Sequence, residues 1–153
     1  MKPLTLIKMY FAGPLFWESE RNWIRATISR IKALAAELNA PVETVWPFEL
    51  FSPGELDALG DRAQHEVFIH CREHVHAADM LIALLRCCAV ALLDGPQVDD
   101  GTAWEMGYFY AVRPEGALIV GIRTDGRRAG EFKNSLVDAM VECSCDRIAI
   151  SVA

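Results

Sequence analysis

Short, nearly pure apolar runs alternate along this chain with longer segments whose apolar residues recur at helical spacing. That alternation most constrains what the chain can fold into. Lys8 to Ala12 follows the apolar Leu4, Leu6 and Ile7, stops at Gly13-Pro14, and reads as a strand. From Glu18 to Leu38, the residues Ile24, Ile28, Ile31, Ala35 and Leu38 fall on one helix face, and Asn39-Ala40-Pro41 ends the helix. Val42 to Trp46 reads as a second strand. Ser52-Pro53-Gly54-Glu55 pairs a capping hydroxyl with proline at the first helical position and glutamate at the third, which starts a short helix. Arg62 to Leu85 is helical by pattern, though long enough to hold a break. The run Ala89-Val90-Ala91-Leu92-Leu93 reads as a buried strand, followed by a helix from Thr102. Ala117 to Ile122 is the next strand, Thr124 to Lys133 a polar loop, Ser135 to Glu142 a helix and Arg147 to Val152 the last strand. Strands alternating with helices predict a three-layer α/β domain with a mostly parallel sheet of about five strands. Right-handed crossovers then gather the loops after Tyr10, Leu93 and Ile122 along one sheet edge, where ligands of such folds bind.

The 153 residues suit a single domain, 1–153, with enough chain to build a full core. The composition, 52% apolar and 24% charged, is that of an ordinary soluble globular protein. A net charge of −6 argues against a nucleic-acid partner, which calls for a basic face. No apolar run reaches membrane-spanning length, so no membrane partner is expected. The N-terminal residues lack a signal-peptide cleavage pattern, which makes the cytoplasm the expected location. The five cysteines are spaced neither as a disulfide framework nor as a zinc site, and they read as reduced, buried thiols. His70 and His74 share a helix face but lack a His-Glu-x-x-His arrangement, so the histidines read as solvated and no metal is assigned.

Two constellations carry candidate chemistry. The first is Asp99-Asp100-Gly101-Thr102-Ala103-Trp104-Glu105-Met106-Gly107, preceded by Asp94-Gly95-Pro96. Thr102-x-x-Glu105 alone is a capping box, with Glu105 in the first helical turn. The crowding of Asp94, Asp99 and Asp100 is more than a cap needs. Crowded carboxylates raise one another's pKa values and split acid from base roles, while a helix N-terminus favours an ionised Glu105. An ionised carboxylate beside protonatable neighbours can attack a sugar carbon. Magnesium is the rival use of clustered acids, but no phosphate-cradling Gly-x-x-x-x-Gly-Lys loop accompanies them. The second constellation is Tyr10-Phe11-Ala12-Gly13-Pro14-Leu15-Phe16. It reads either as a strand end with core aromatics, or as a ligand edge where Gly13 clears space and the Tyr10 hydroxyl points inward. Arg123, Arg127 and Arg128 read as a solvated basic loop.

Together the two constellations resemble the nucleoside 2-deoxyribosyltransferases, which pair a Tyr-x-x-Gly-x-x-Phe-like stretch with an Asp-x-Gly-Thr-x-x-Glu-x-Gly segment. The resemblance implies a flavodoxin-like sheet, no cofactor, and base exchange on 2'-deoxynucleosides. It implies Glu105 as nucleophile, Tyr10 as the residue that orients it, and Asp99 as an acid that contacts the sugar. Gly13, Phe16, Gly101 and Asp94 fall in or beside the matched motifs and are implied substrate contacts. A family aspartate that contacts the base aligns with Cys88. A thiol donates poorly, which leaves Asp79, Asp94 or an impaired base-protonation step. An Asn-x-Met element that reaches a neighbouring subunit's site aligns with Asp138 and Met140, with Asn134 one helical turn away. The implied partners are deoxynucleosides, free nucleobases and further copies of the chain in a homo-oligomer with shared sites. Related 5'-deoxynucleotide hydrolases carry serines where this chain has Asp99 and Asp138, so free nucleosides are the expected substrates. The alternatives are hydrolysis of deoxynucleosides or their 5'-monophosphates, and a catalytically impaired nucleoside-binding module.

Overall fold

The computed structural model describes residues 5–84, 98–124, 130 and 133–150. Among these residues five strands form one sheet: β1 (Ile7–Ala12), β2 (Val42–Val45), β3 (Met80–Leu84), β4 (Leu118–Arg123) and β5 (Arg147–Ile150). They lie in the order β2-β1-β3-β4-β5 and every pairing is parallel. This is the doubly wound order in which the chain leaves β1 in one direction and returns on its other side. The crevice between β1 and β3 is therefore the expected ligand site.

Among the described residues five α-helices cover the sheet: α1 (Glu18–Glu37), α2 (Pro53–Leu59), α3 (Ala63–His76), α4 (Asp100–Val112) and α5 (Ala139–Ser144). Side chains alternate along each strand and so divide the core in two. Met9, Phe11, Ile82 and Leu84 pack against Ile24 and Ile28 of α1. On the other face Tyr10, Ala12, Leu81, Ala83 and Ile119 pack against Val75 of α3 and against Met106 and Phe109 of α4. The expected α1 face is buried at Ile24, Ile28 and Ala35, while Leu38 lies past the helix end and is exposed; the Ser52 cap is present. The Ser52 hydroxyl accepts from the Glu55 amide at 3.3 Å, and Glu55 accepts from the Ser52 amide at 2.7 Å.

Two expected boundaries change. The helix read from Arg62 to Leu85 ends at His76, and the third strand is Met80–Leu84. Periodicity alone cannot separate a buried strand from buried helix in so apolar a stretch. Asp79 marks the boundary instead: its carboxylate accepts from the Lys8 amide at 2.9 Å and its own amide donates to the Lys8 carbonyl at 2.9 Å, which locks β3 beside β1. The strand expected at 89–93 lies outside the described residues. The last helix begins at Ala139 rather than Ser135, because Asp138 caps it by accepting from the Met140 amide at 2.8 Å.

A second polar tie holds the far side of the sheet. Asp146 accepts from the Ile119 amide at 2.7 Å and forms an ion pair with Arg113, which follows α4. The Arg113 hydrogen bond and then the Ile119 amide hold the Asp146 carboxyl below its ordinary range. A depressed carboxylate contributes stability above the unfolded-state pKa, about 3.9, and that contribution fades as pH falls through the folded value. Asp146→Asn is expected to lower unfolding free energy at pH 7 by about 1 kcal/mol, because the pair is partly solvated. Denaturant titrations at pH 7 and pH 3 check this: the deficit should be smaller at the second than at the first.

Candidate active site

Tyr10 sits mid-strand in β1, fully buried, on the face covered by α4. Its hydroxyl donates to Oε1 of Glu105 at 2.5 Å, across 95 residues of sequence. Glu105 stands in the second turn of α4, not the first. The helix begins at Asp100, and its cap is Asp99, whose Oδ2 accepts from the Thr102 amide at 3.0 Å and the Thr102 hydroxyl at 3.2 Å. The expected Thr102–Glu105 capping box is absent for that reason, and Thr102 is buried inside the helix. Glu105 is thus free of any capping duty.

The same placement corrects the electrostatic expectation. Burial pushes the Glu105 carboxyl up to about 7; the Tyr10 hydrogen bond pulls it down and the nearby Asp99 charge raises it further. Desolvation outweighs whatever the helix terminus contributes one turn away. Burial also pushes the Tyr10 hydroxyl far above its ordinary range, with the Glu105 charge adding to the shift. Tyr10 therefore stays protonated and acts only as a donor. Proton exchange near neutrality belongs to Glu105.

A cavity of about 170 Å³ opens on Glu105. One edge is acidic and comes from the start of α4: Asp99, Gly101, Thr102 and Glu105. The other comes from the loop after β1 and the turn after β2: Gly13, Leu15, Phe16 and Pro47. Phe16 is 72% exposed, an aromatic ring at the cavity mouth. The glycines are there for packing as much as for clearance. A Cβ on Gly13 would lie 3.2 Å from Ile24 Cδ1 and from Leu84 Cβ, and one on Gly101 would lie 3.1 Å from Asp99 Oδ2.

Tyr10, Gly13, Phe16, Asp99, Gly101 and Glu105 thus converge at the β1/β3 crevice. Cys88 and Asp94 lie outside the described residues. Asp79 sits at the opposite, N-terminal edge of the strands, tied to Lys8, and does not replace them. Asp138 and Met140 line a separate groove between α4 and α5, with Ala103, Met106, Gly107 and Tyr110. Met140 is 82% exposed there, and the exposed Asn134 lines neither opening. One neighbour escaped the sequence reading. Cys71 of α3 interacts with the Tyr10 hydroxyl, and burial raises its thiol pKa. Its sequence context gave no cue beyond that of a small apolar residue on a helix. Among the described residues no three His, Cys, Asp or Glu side chains gather as metal ligands do.

The family model described as Nucleoside 2-deoxyribosyltransferase matches residues 9–142, a span that holds β1, the cavity and α5. The chain belongs to the nucleoside 2-deoxyribosyltransferase family. It is 31% identical over 148 residues to the uncharacterized protein UU063 of Ureaplasma parvum, an alignment covering 91% of this chain and 85% of that one. A conserved protein from Enterococcus faecalis superposes with a TM-score of 0.69 at 25% identity, covering 96% of this chain and 92% of that chain. A 2-deoxyribosyltransferase from Bacillus psychrosaccharolyticus shares the fold, with a TM-score of 0.62 at 23% identity and coverage of 94% and 86%. The flavodoxin-like α/β fold expected of a deoxyribosyltransferase is present. Among the described residues no helix is long and apolar enough to cross a membrane.

The Tyr10–Glu105 pair makes a direct prediction. Tyr10→Phe removes the hydrogen bond that lowers the Glu105 pKa, so that pKa should rise above about 7. Carboxyl titration followed by NMR in both proteins checks the direction.

Proposed function

We propose that the protein exchanges the base of 2'-deoxynucleosides, with Glu105 as the nucleophile. The observation that carries the reading is a buried carboxylate held by a tyrosine hydroxyl and opening on a cavity with one acidic and one apolar edge. Tyr10 occupies Oε1, which leaves Oε2 to attack. In its ionised form Glu105 attacks the anomeric carbon, the C–N bond breaks, and the base departs with the bonding pair and takes up a proton. A covalent 2-deoxyribosyl ester remains on Glu105. A second base attacks the same carbon from the opposite face, expels the carboxylate and releases a proton, so two inversions give net retention. The absence of a 2'-hydroxyl suits this route, because less inductive withdrawal opposes the oxocarbenium-like centre.

The cavity's two edges match the two parts of such a substrate. Asp99 and Glu105 face the deoxyribose. The apolar edge of Leu15, Phe16 and Pro47 faces the flat base, with Phe16 offering a ring for stacking. The carboxylate of Asp99 favours a free 5'-hydroxyl over a 5'-phosphate, since a like-charge contact costs on the order of 1–4 kcal/mol at short range near a surface. Asp138 and Met140 lie in an apolar groove away from Glu105, which suits residues that serve the site of a second copy in a homo-oligomer. No cofactor enters the chemistry.

Incubation with a 2'-deoxynucleoside, with and without a second free base, tests the reading. Appearance of a new nucleoside supports exchange. Free deoxyribose in both arms would instead mean hydrolysis, and binding without turnover a nucleoside-binding module. Glu105→Ala should lower kcat by about 10³-fold or more while leaving the fold intact. The pH profile carries its own sign. Because the attacking form is ionised and the Glu105 pKa is near 7, kcat/KM should rise through an acid limb centred near pH 7 rather than near 4.

A further inference from the structure

We propose that Arg21 is a positioning residue for the base-facing edge of the cavity, an inference that rests on the base-exchange reading. Arg21 stands in the first turn of α1. Its Nη1 donates to the Leu15 carbonyl at 2.9 Å and to the Phe16 carbonyl at 3.0 Å. Leu15 and Phe16 are the two residues of the β1–α1 loop that carry apolar side chains into the cavity. The same guanidinium lies over the Phe48 ring, 5.0 Å from its centroid. Phe48 stacks on the buried Trp46 at 5.0 Å, and these two flank Pro47, the residue that the β2 side gives to the cavity. One turn along α1, Arg25 sits 5.4 Å from the Trp46 ring and 5.5 Å from that of Phe48.

The arginine thus touches both segments that form the apolar edge. It fixes one through backbone hydrogen bonds and the other through a cation–π face. The planar guanidinium can do both because its donors lie in its own plane while its carbon sits over the aromatic ring. Arg113 pairs its charge with the carboxylate of Asp146. The charge of Arg21 goes instead to two carbonyls and a ring. Without that link the loop bearing Phe16, which is largely exposed, loses its hold on the Pro47 side, and the slot between them loses its fixed shape. Arg21 touches none of the cavity's acidic residues in these contacts, so its effect falls on base binding rather than on attack by Glu105.

The test compares wild type, Arg21→Met, Arg21→Lys and Phe48→Leu, with Arg30→Met as a control for removing a charge from α1. Calorimetric Kd and steady-state KM are measured for 2'-deoxyadenosine and for thymidine. Arg21→Met is expected to raise Kd and KM about tenfold while kcat changes less than about threefold, the pattern of lost uniform binding. Arg21→Lys keeps a donor and a charge and should fall between it and wild type. Phe48→Leu removes the ring under the guanidinium and should raise Kd about threefold, whereas Arg30→Met should match wild type. Should Arg21→Met fail to fold, the other two variants carry the comparison. Affinity unchanged in every folded Arg21 and Phe48 variant overturns the proposal, as does a fall in kcat with KM unmoved. Wild type that binds but does not turn over overturns base exchange alone, since the affinity series still reads Arg21. Wild type that neither binds nor turns over either nucleoside overturns both.

Discussion

The hydrogen bond between Tyr10 and Glu105 depends on nearly everything else in the fold being in place. Tyr10 must lie on the α4 side of β1, which the alternation of a strand between two parallel neighbours enforces. A one-residue slip would turn Tyr10 toward α1 and put Met9 or Phe11 against Glu105. Glu105 must in turn point inward from α4, and that phase is set by Met106 and Phe109 packing into the same core. The hydrogen-bonded pair is therefore a part of the hydrophobic interior that happens to reach a cavity.

Burial is also what gives the pair its chemistry. A glutamate on a solvated helix surface would titrate near its ordinary value and remain charged at neutral pH. In the core, loss of water favours the neutral acid, and one tyrosine donor and one nearby aspartate adjust the balance in opposite directions. The helix cap is a separate residue, Asp99, and that division of labour leaves both oxygens of Glu105 outside the backbone hydrogen-bonding of the helix start. Gly101 follows from the same arrangement, since a larger residue there would press on the capping carboxylate.

Much of this was legible in the sequence because it is local. The α1 face, the Ser52 cap and the carboxylate-rich start of α4 each follow from residues within a few positions of one another. The strand at Met80–Leu84 was not legible, because α3 passes into it through a stretch with no glycine or proline and with apolar residues on both sides of the boundary. Asp79 marks that boundary by binding Lys8, a partner 71 residues away, which no window along the chain contains. The placement of Cys71 beside Tyr10 was hidden for the same reason. The motifs located Glu105 and Tyr10, whereas the pKa that decides how Glu105 behaves arises from the three-dimensional core around it.

Placing a carboxylic acid and a phenol inside the apolar core sets stability against chemistry at those positions. Matched apolar side chains there would remove a desolvated acid and a polar pair whose net worth to folding is small. A lineage selected only for tolerance of heat would therefore have an easy first step available at residues 10 and 105. On the base-exchange reading both polar groups serve the reaction, since the fold alone gives no reason to keep them.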